Sequence, residues 1–115
     1  MKNDIELIAI PICCEKNVCD FEKCSKFLIF NYDKIKKCVV YISFMSLEEK
    51  YDPKKELVRR NIRRIITSNM NVKNLNYFKE KKVEVMLSTP EENALITALK
   101  YADGKLLKVQ GQIEH

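Results

Sequence analysis

Apolar residues occur along the first half of the chain in three short runs that have the length of β-strands. In Ile5–Ile12 both alternating sets of side chains are mostly apolar, which is typical of a strand that is covered on both faces. The runs 26–30 and 38–42 have the same character, and the polar residues 31–34 between them predict a hairpin turn. The pattern therefore predicts three strands, of which the second and third pair antiparallel.

The periodicity changes in the second half of the chain, where helical and strand patterns alternate. Asp52 followed by Pro53 predicts a helix start, because Asp caps the first turn and Pro lacks only an N–H group that would be unpaired there. The run 64–67 predicts a short buried strand, Asn71 is a suitable cap for a second helix, and 83–87 predicts a fifth strand.

A third helix is predicted after the fifth strand. Thr89 would be its N-cap, Pro90 its first residue, and Glu92 would close a capping box. Small and apolar residues then recur with helical spacing up to Ala102, and Gly104 suits the left-handed position that ends a helix.

The predicted order of elements is βββαβαβα. The fourth and fifth strands each follow a helix, which implies parallel pairing through right-handed crossovers. We therefore predict an α/β domain with a mixed five-stranded sheet and helices on both faces. The domain is expected to span residues 1–106, and residues 107–115 are expected to form a C-terminal tail.

Composition favours one soluble domain. A chain of 115 residues with 46% hydrophobic residues can bury a core without a metal or a disulfide. No apolar run approaches the roughly 20 residues of a membrane span, and the first residues do not have the pattern of a signal peptide. These features predict a cytoplasmic protein, in which cysteines remain reduced rather than forming a disulfide framework.

The net charge of +5 comes from 21 basic and 16 acidic residues, and most of the basic excess lies in the runs 34–37, 59–64 and 79–82. Such runs usually form solvated faces of helices and turns. The sequence contains no recognisable motif for binding DNA or RNA. We therefore expect neither a nucleic-acid partner nor a membrane partner.

Cysteines are concentrated between the first two predicted strands, in the segment CCEKNVCDFEKC, which contains Cys13, Cys14, Cys19 and Cys24. Thiolates are ligands for iron–sulfur clusters, Cu(I) and Zn(II), and nearby lysines favour thiolates and an anionic cluster. The spacing C-x4-C-x4-C matches neither paired zinc motifs nor plant-type ferredoxins. A metal or cluster site, disulfides, and small buried side chains therefore all stay open, whereas Cys38, within a strand pattern, is expected in the core.

Several segments follow one another in the order of a known family: IAIP at the end of the first strand, DFEKCSKFLIF before the hairpin, RIITSNMNVKNLNYFKEKKVEVML, and TPEENALITALKYADGKL. The chain resembles the dinitrogenase iron–molybdenum cofactor biosynthesis family, which includes NifX-like proteins. The resemblance covers about residues 5–106. It implies a ribonuclease-H-like fold and a non-enzymatic role in binding or carrying iron–sulfur or iron–molybdenum clusters or their precursors.

This chain departs from the family pattern at the position of the family's candidate ligand. Where the family usually has His-Phe-Gly, this chain has Asp20, Phe21 and Glu22, and Ser68 and Asn71 stand where glycines are common. The resemblance then implies that thiols replace the missing histidine. The candidate cofactor-binding residues are Cys13, Cys14, Cys19 and Cys24, and the candidate metal ligands are Cys14, Cys19 and Cys24, with Asp20 as a weaker, hard ligand.

Two roles follow from these departures. In the first, the protein carries a cluster and transfers it to a protein partner. In the second, it no longer binds a cluster and acts as a protein-interaction module, whose basic helix faces contact an acidic partner through Arg59, Arg60, Arg63 and Arg64.

Catalysis is not expected under either hypothesis. The only histidine is the last residue, His115, so neither a Cys–His pair nor a Ser–His–Asp triad can be assembled. A ribonuclease-H-like nuclease needs several carboxylates that converge on two metal ions. Asp4, Glu6 and Glu84 show no pattern of that kind, and helix capping explains the carboxylates at 91 and 92.

Overall fold

One mixed sheet is the central feature of the computed structural model, which describes residues 4–13, 16–24, 26–89, 92–104 and 107–108. The strands are β1 (Ile5–Ile12), β2 (Lys26–Asp33), β3 (Cys38–Ser46), β4 (Arg64–Thr67), β5 (Glu84–Leu87) and β6 (Leu107–Lys108). The helices are α1 (Pro53–Arg59), α2 (Val72–Glu80) and α3 (Ala94–Ala102). The predicted order βββαβαβα is confirmed, and a sixth strand follows it.

The strands lie in the order β3-β2-β1-β4-β5-β6. Antiparallel pairing joins β1 to β2 and β2 to β3, whereas β4 pairs parallel with both β1 and β5. The predicted α/β class with a mixed sheet is therefore confirmed. The short β6 pairs antiparallel with β5 and comes from the first two residues of the predicted tail.

Alternation along the strands supplies apolar side chains to both faces of the sheet. On one face, Ile65 of β4 packs with Leu57 of α1 and Phe78 of α2. On the other face, Ile10 of β1 packs with Ala98 of α3. Helices on both faces are thus confirmed. None of these helices combines the length and the apolar character that crossing a membrane requires, within the residues that the structure describes.

Local side-chain caps begin α1 and α2 as predicted. The carboxylate of Asp52 accepts a hydrogen bond of 3.2 Å from the amide of Lys54, and Pro53 is the first helical residue. The side chain of Asn71 accepts a hydrogen bond of 2.8 Å from the amide of Asn74. Both caps satisfy amides that have no partner within the helix.

The predicted start of α3 at Thr89 is wrong. The helix begins at Ala94, and Asn93 is its N-cap. The side-chain oxygen of Asn93 accepts hydrogen bonds from the amides of Leu95, at 2.9 Å, and Ile96, at 3.3 Å. The proposed first helical residue, Pro90, lies outside the described residues.

Strand β3 was predicted to be covered on both faces, and this prediction is wrong. The strand lies at the edge of the sheet and extends to Ser46. Val40, Tyr41 and Phe44 are exposed, although their apolar character resembles that of the buried strands. Cys38, which was expected in the core, is only half-buried at the start of this strand.

The turn of the β2–β3 hairpin lies later than predicted, because β2 continues to Asp33. The Asp33 carboxylate accepts hydrogen bonds from the amides of Ile35, at 2.9 Å, and Lys36, at 3.0 Å. Asp is well suited to this role, since its side chain can bind backbone amides a few residues further on. The turn therefore occupies residues 34–37 rather than 31–34.

Candidate functional site

The cysteine loop, residues 13–24, connects the C-terminal end of β1 to β2 and lies at the end of the sheet where β1 finishes. The neighbouring parallel strand β4 finishes at the same end and continues into residues 68–71, which we call the β4 loop. From here β1 leads to β2 on one side, whereas β4 leads through α2 to β5 on the other. Open α/β sheets bind ligands outside strand ends where the chain diverges in this way.

Backbone hydrogen bonds hold the cysteine loop against these strand ends. The amide of Cys19 donates to the carbonyl of Pro11 at 3.1 Å, and the amide of Phe21 donates to the carbonyl of Asn69 at 3.0 Å. The amide of Ser68 in turn donates to the carbonyl of Cys19 at 3.4 Å. The cysteine loop and the β4 loop are therefore joined in both directions.

A buried hydroxyl group reinforces this junction. Thr67, the last residue of β4, is completely buried, and its Oγ1 lies 2.9 Å from the carbonyl oxygen of Cys19 and 2.9 Å from that of Asn69. The single hydroxyl proton can be donated to one of these oxygens at a time. Because a buried hydroxyl is costly without a partner, Thr67 favours the arrangement in which both loops stay close.

The residues that depart from the family pattern bind one another. Ser68 Oγ donates a hydrogen bond of 2.8 Å to the carboxylate of Asp20. Glu22 Oε2 accepts hydrogen bonds from the amide of Asn71, at 2.9 Å, and from the side chain of Asn74, at 2.6 Å. The β4 loop thus binds the Asp20 carboxylate through the side chain of Ser68, and the Glu22 carboxylate through the backbone amide of Asn71, with the side chain of Asn74 on α2 as a further donor. The contacts join residues about fifty positions apart, and only the shared departure from the family pattern hinted at them.

Two of the predicted cysteines come together. The sulfur atoms of Cys19 and Cys24 lie at bonding distance as a disulfide, with their Cα atoms 7.1 Å apart, so the expectation of reduced, unpaired thiols is wrong for this pair. A short 3-10 turn that starts at Phe21 folds the chain back between them. The Phe21 ring is buried against Phe27 and Phe78, at centroid distances of 6.0 and 5.5 Å. This anchor positions the two cysteines at this end of the sheet.

The other candidate ligands are not gathered at this pair. Cys13 is exposed and its Sγ lies 3.6 Å from the carbonyl oxygen of Asn17, whereas Cys14 lies outside the described residues. The carboxylate of Asp20, besides its bond to Ser68, lies 3.6 Å from the ammonium group of Lys23. No three His, Cys, Asp or Glu side chains form a group suited to a metal ion within the described ranges.

Glu92 connects the cysteine loop to α3, instead of closing the capping box that was predicted. Its carbonyl oxygen accepts a hydrogen bond of 2.8 Å from the amide of Val18. Its carboxylate accepts a hydrogen bond of 2.7 Å from the hydroxyl of Thr97 and pairs with the ammonium group of Lys100. Burial raises the pKa of Glu92, but the hydrogen bonds from Lys100 and Thr97 outweigh this and hold the pKa below its usual value.

The predicted basic helix face is wrong, because its four arginines lie on different elements. Arg59 ends α1 and Arg60 is its C-cap. Both pair with Glu56, at 2.8 and 3.4 Å, and the hydrogen bond from Arg59 is the main reason that the pKa of Glu56 is lowered. Arg63 follows the helix as an exposed residue, and Arg64 belongs to β4.

Arg64 organises the carboxylates at the opposite end of the parallel strands. Its guanidinium group lies 3.0 Å from Glu6 of β1 and 2.8 Å from Glu84 of β5. Glu6 and Glu84 are two of the three carboxylates that the sequence analysis considers for a nuclease site. The arginine between them supplies the countercharge that a metal ion would supply in such an enzyme.

Neither a protein-family model nor a curated protein sequence matches this chain. Solved structures do match it. The crystal structure of a putative dinitrogenase from Methanocaldococcus jannaschii is 24% identical, with a TM-score of 0.75 over 95% of this chain and 98% of that chain. The NMR structure of the same protein is 26% identical, with a TM-score of 0.74 over 91% of this chain and 93% of that chain.

Two more distant structures share the fold. A putative NifB protein from Thermotoga is 16% identical, with a TM-score of 0.64 over 90% of this chain and 92% of that chain. The apo form of the orange protein from Desulfovibrio gigas is 11% identical, with a TM-score of 0.72 over 92% of this chain and 94% of that chain. These two structures show the shared fold alone, and the predicted resemblance to the dinitrogenase cofactor biosynthesis family is confirmed on the putative dinitrogenase, whose NMR structure is 26% identical.

Proposed function

We propose that this protein binds a metal ion, or an iron–sulfur or iron–molybdenum cluster or its precursor, at the cysteine loop, and carries it to a protein partner in the cytoplasm. The observation that supports this proposal is the convergence of Cys19 and Cys24 at the carboxyl ends of β1 and β4. The names of the structural neighbours, a putative dinitrogenase and a putative NifB protein, favour the same class of cargo.

The spacing of the two cysteines suits shared coordination. Their Cα atoms are 7.1 Å apart, whereas disulfides usually have separations of roughly 4.4–6.8 Å. Two thiolates that would bind one metal ion need no direct bond between the sulfur atoms, so a wider backbone separation is favourable for them. A reductant supplies two electrons and two protons to the pair, and the thiols release those protons when the metal binds.

Further ligands would come from the same loop. Cys13 and Cys14 precede the 3-10 turn, and Asp20 is adjacent to Cys19. The exposed lysines at 16 and 23 place positive charge beside the loop, which favours thiolates and an anionic cluster. We assign the coordination primarily to Cys19 and Cys24; Cys13, Cys14 and Asp20 are the candidates to complete it, and Cys13 and Asp20 would have to leave their present partners to do so.

A carrier role fits the remaining side chains better than catalysis does. The sole histidine of the chain is His115, and the carboxylates of Glu6 and Glu84 are bound by Arg64. A general base or a two-metal carboxylate site would have to be built from groups that already have these partners.

The proposal is tested by preparing the protein anaerobically under reducing conditions, with iron, sulfide and molybdate supplied, and by measuring visible absorption and bound metal per chain. We expect the parent protein to be coloured and loaded. Cys19→Ser and Cys24→Ser should each lose most of the bound metal, because each removes one of the two convergent thiolates. Cys38→Ser is the matched control, since Cys38 lies at the other end of the β2–β3 hairpin, and it should load like the parent.

A colourless parent protein without bound metal would refute the cargo. Equal loading of the parent, Cys19→Ser and Cys24→Ser would refute the site. Circular dichroism of each variant establishes that a loss of metal does not come from a loss of fold.

A further inference from the structure

Strand β3 has an unusually unprotected outer edge. It is nine residues long and comes first in the sheet, so β2 alone pairs with it among the described strands. Its sequence, CVVYISFMS, contains neither a charged residue nor a proline. Natural edge strands usually carry charges or proline, or are very short, because their free N–H and C=O groups attract other strands.

A β-bulge limits where another strand can pair. The register between β2 and β3 shifts at Asn31 and Tyr32, which leaves Val40 as the extra residue of β3. Pairing is regular from Tyr41 to Ser46. A bulge bends and twists its own strand, so the regular run is the part of the edge that is suited to a new partner.

Exposed apolar side chains line both faces of this run. Its register with β2 places Ile42 and Phe44 on the side of the sheet that α3 covers, and Tyr41 and Met45 on the opposite side. Tyr41 is 61% exposed and Phe44 is 52% exposed. Side chains of this kind form stabilising cross-strand pairs when another strand is added.

The helix beside this edge is also incompletely covered. α3 packs on β2 and β3 and has the apolar residues Leu95, Ile96 and Leu99 exposed. Together with Ile42 and Phe44 they form what we call the β3–α3 surface. Exposed apolar residues on adjacent elements are characteristic of protein interaction sites.

The charges that flank β3 identify the partner. The preceding turn carries the exposed Lys36 and Lys37, whereas the exposed Glu48 and Glu49 follow the strand. Glu48 pairs with Lys50 at 3.6 Å, and Lys36, Lys37 and Glu49 have no ion pair within the described part of the chain. When two copies of this strand pair antiparallel about Ser43, Lys37 of each copy comes opposite Glu49 of the other, while Lys50, opposite Lys36, is paired with Glu48 of its own copy. This complementarity occurs twice in one interface, which favours a second copy of this chain over an unrelated strand.

We propose that two copies of the protein associate through their β3 edges, antiparallel about a twofold axis at Ser43, so that their sheets become continuous. A twofold axis perpendicular to the sheet places the corresponding faces of the two copies on the same side. Residues that lie opposite each other across the axis must therefore belong to the same face of the sheet. Centring the pair on Ser43 uses the run from Tyr41 to Met45 and avoids the bulge. Ile42 then opposes Phe44 of the second copy, and Tyr41 opposes Met45 of the second copy.

Sedimentation or light scattering of the full chain over a range of concentrations tests the association. We expect a concentration-dependent dimer, and Tyr41→Lys should raise its dissociation constant by about tenfold or more, as for a central interface residue. Val72→Lys is the matched control, because Val72 is 49% exposed on α2, and it should dimerise like the parent. The proposal would be overturned if the parent protein stays monomeric up to about 1 mM, even if its β3 strand binds an unrelated protein. It would also be overturned if Tyr41→Lys dimerises with unchanged affinity.

Charge reversal tests the orientation. Lys37→Glu and Glu49→Lys should each weaken the dimer, because each places like charges together at both ends of the interface. The double variant restores opposite charges and should recover most of the parent affinity. If the losses of dimer affinity caused by the two single substitutions simply add in the double variant, the antiparallel arrangement would be contradicted.

Cross-linking tests the register. Residues directly opposite in antiparallel strands have Cα atoms about 4.5–5.5 Å apart, which is within disulfide range. In a chain that also carries Cys13→Ser and Cys38→Ser, we expect Ser43→Cys to form a covalent dimer when oxidised glutathione accepts the two electrons. Ser46→Cys should not, because six residues of offset separate the two copies of that position by about 20 Å. Equal cross-linking of both variants, or none at position 43, would refute the register.

Discussion

Polar side chains, rather than glycine, shape the connections of this protein at the scale of single residues. The sequence contains only two glycines, and Lys16, Lys37, Asn61 and Lys82 adopt positive φ values between 57° and 66° instead. Around the candidate site, hydrogen bonds from backbone amides and from the side chains of Thr67 and Ser68 hold the cysteine loop to the β4 loop. The Asp20–Ser68 pair joins two positions at which the chain departs from the family pattern, whereas the Glu22 carboxylate accepts a hydrogen bond from the backbone amide of Asn71.

Thr67 is the residue on which this junction depends most directly. We expect Thr67→Val to lower the free energy of unfolding by about 1–3 kcal/mol, because it removes the buried hydroxyl between the carbonyls of Cys19 and Asn69. Denaturant unfolding measures the loss, and hydrogen exchange at the amide of Phe21 measures the opening of the loop.

Thr67→Ser is the control for this substitution, because it keeps the hydroxyl and removes only a methyl group. Exchange at Phe21 should accelerate in Thr67→Val and remain slow in Thr67→Ser. Equal protection in both variants would show that the hydroxyl does not hold the loops together.

The sequence indicated where the candidate site lies, but not which of its cysteines meet. A cluster of thiols between two strand patterns is visible in the chain itself. The approach of Cys19 to Cys24, however, depends on burial of Phe21 against Phe27 and Phe78, and on bonds to a loop that is 48 residues away in the sequence. Contacts of this range leave no periodic pattern.

At the scale of elements, the local signals agree with the structure at the first two helices. Asp52 and Asn71 cap α1 and α2 as predicted. Before α3, two good caps lie four residues apart, Thr89 and Asn93. Tertiary contacts decide between them, since Asn93 forms a β-bridge with Asn17 of the cysteine loop and so remains extended. The exposure of β3 was missed for a similar reason, because an edge strand can have the same apolar pattern as a central one.

Substitutions at Asn93 and Thr89 test which of these residues caps α3. Asn93→Ala should lower the free energy of unfolding by about 1 kcal/mol, because the amides of Leu95 and Ile96 lose their acceptor. Thr89→Ala should change the stability by less than about 0.5 kcal/mol, as is usual for an exposed loop position. The opposite ranking in thermal or denaturant unfolding would restore Thr89 as the start of the helix.

At the scale of the whole molecule, a cluster of polar and aromatic side chains at the end opposite the cysteine loop connects four strands and a helix. Arg64 of β4 pairs with Glu6 of β1 and Glu84 of β5. Tyr101 of α3 lies over Arg64, with 6.0 Å between the guanidinium carbon and the ring centroid, and its ring is 4.9 Å from that of Tyr32. This cluster fixes α3 to the sheet at the end that the cysteine loop does not reach.

Tyr101 makes the stability of the molecule sensitive to alkaline pH. Burial raises its pKa from 10.0 to about 12, although the charge of Arg64 acts in the opposite direction. The folded state thus favours the neutral phenol, and this contribution is fully present below about pH 10 and is lost as the pH rises from about 10 to about 12. Tyr101→Phe should therefore lose less stability than the parent between pH 9 and about pH 11.

Tyr51→Phe is the control for this titration, because Tyr51 is exposed and lies outside β3. Its stability should fall with pH as that of the parent does, measured by denaturant unfolding in matched salt. Equal slopes for the parent and Tyr101→Phe would remove Tyr101 as the source of the alkaline loss.

The bond between Glu22 and Asn71 gives the candidate site a distant reporter. Glu22 belongs to the loop that carries Cys19 and Cys24. The amide that donates a hydrogen bond to its carboxylate belongs to Asn71, the N-cap of α2. Rearrangement of the loop around a new ligand would change the polarisation of that N–H bond, and hence the chemical shift of a nucleus that is not itself part of the thiol chemistry. The cap of α2 is therefore a natural spectroscopic label for the occupancy of the cysteine loop, without any dye or added probe.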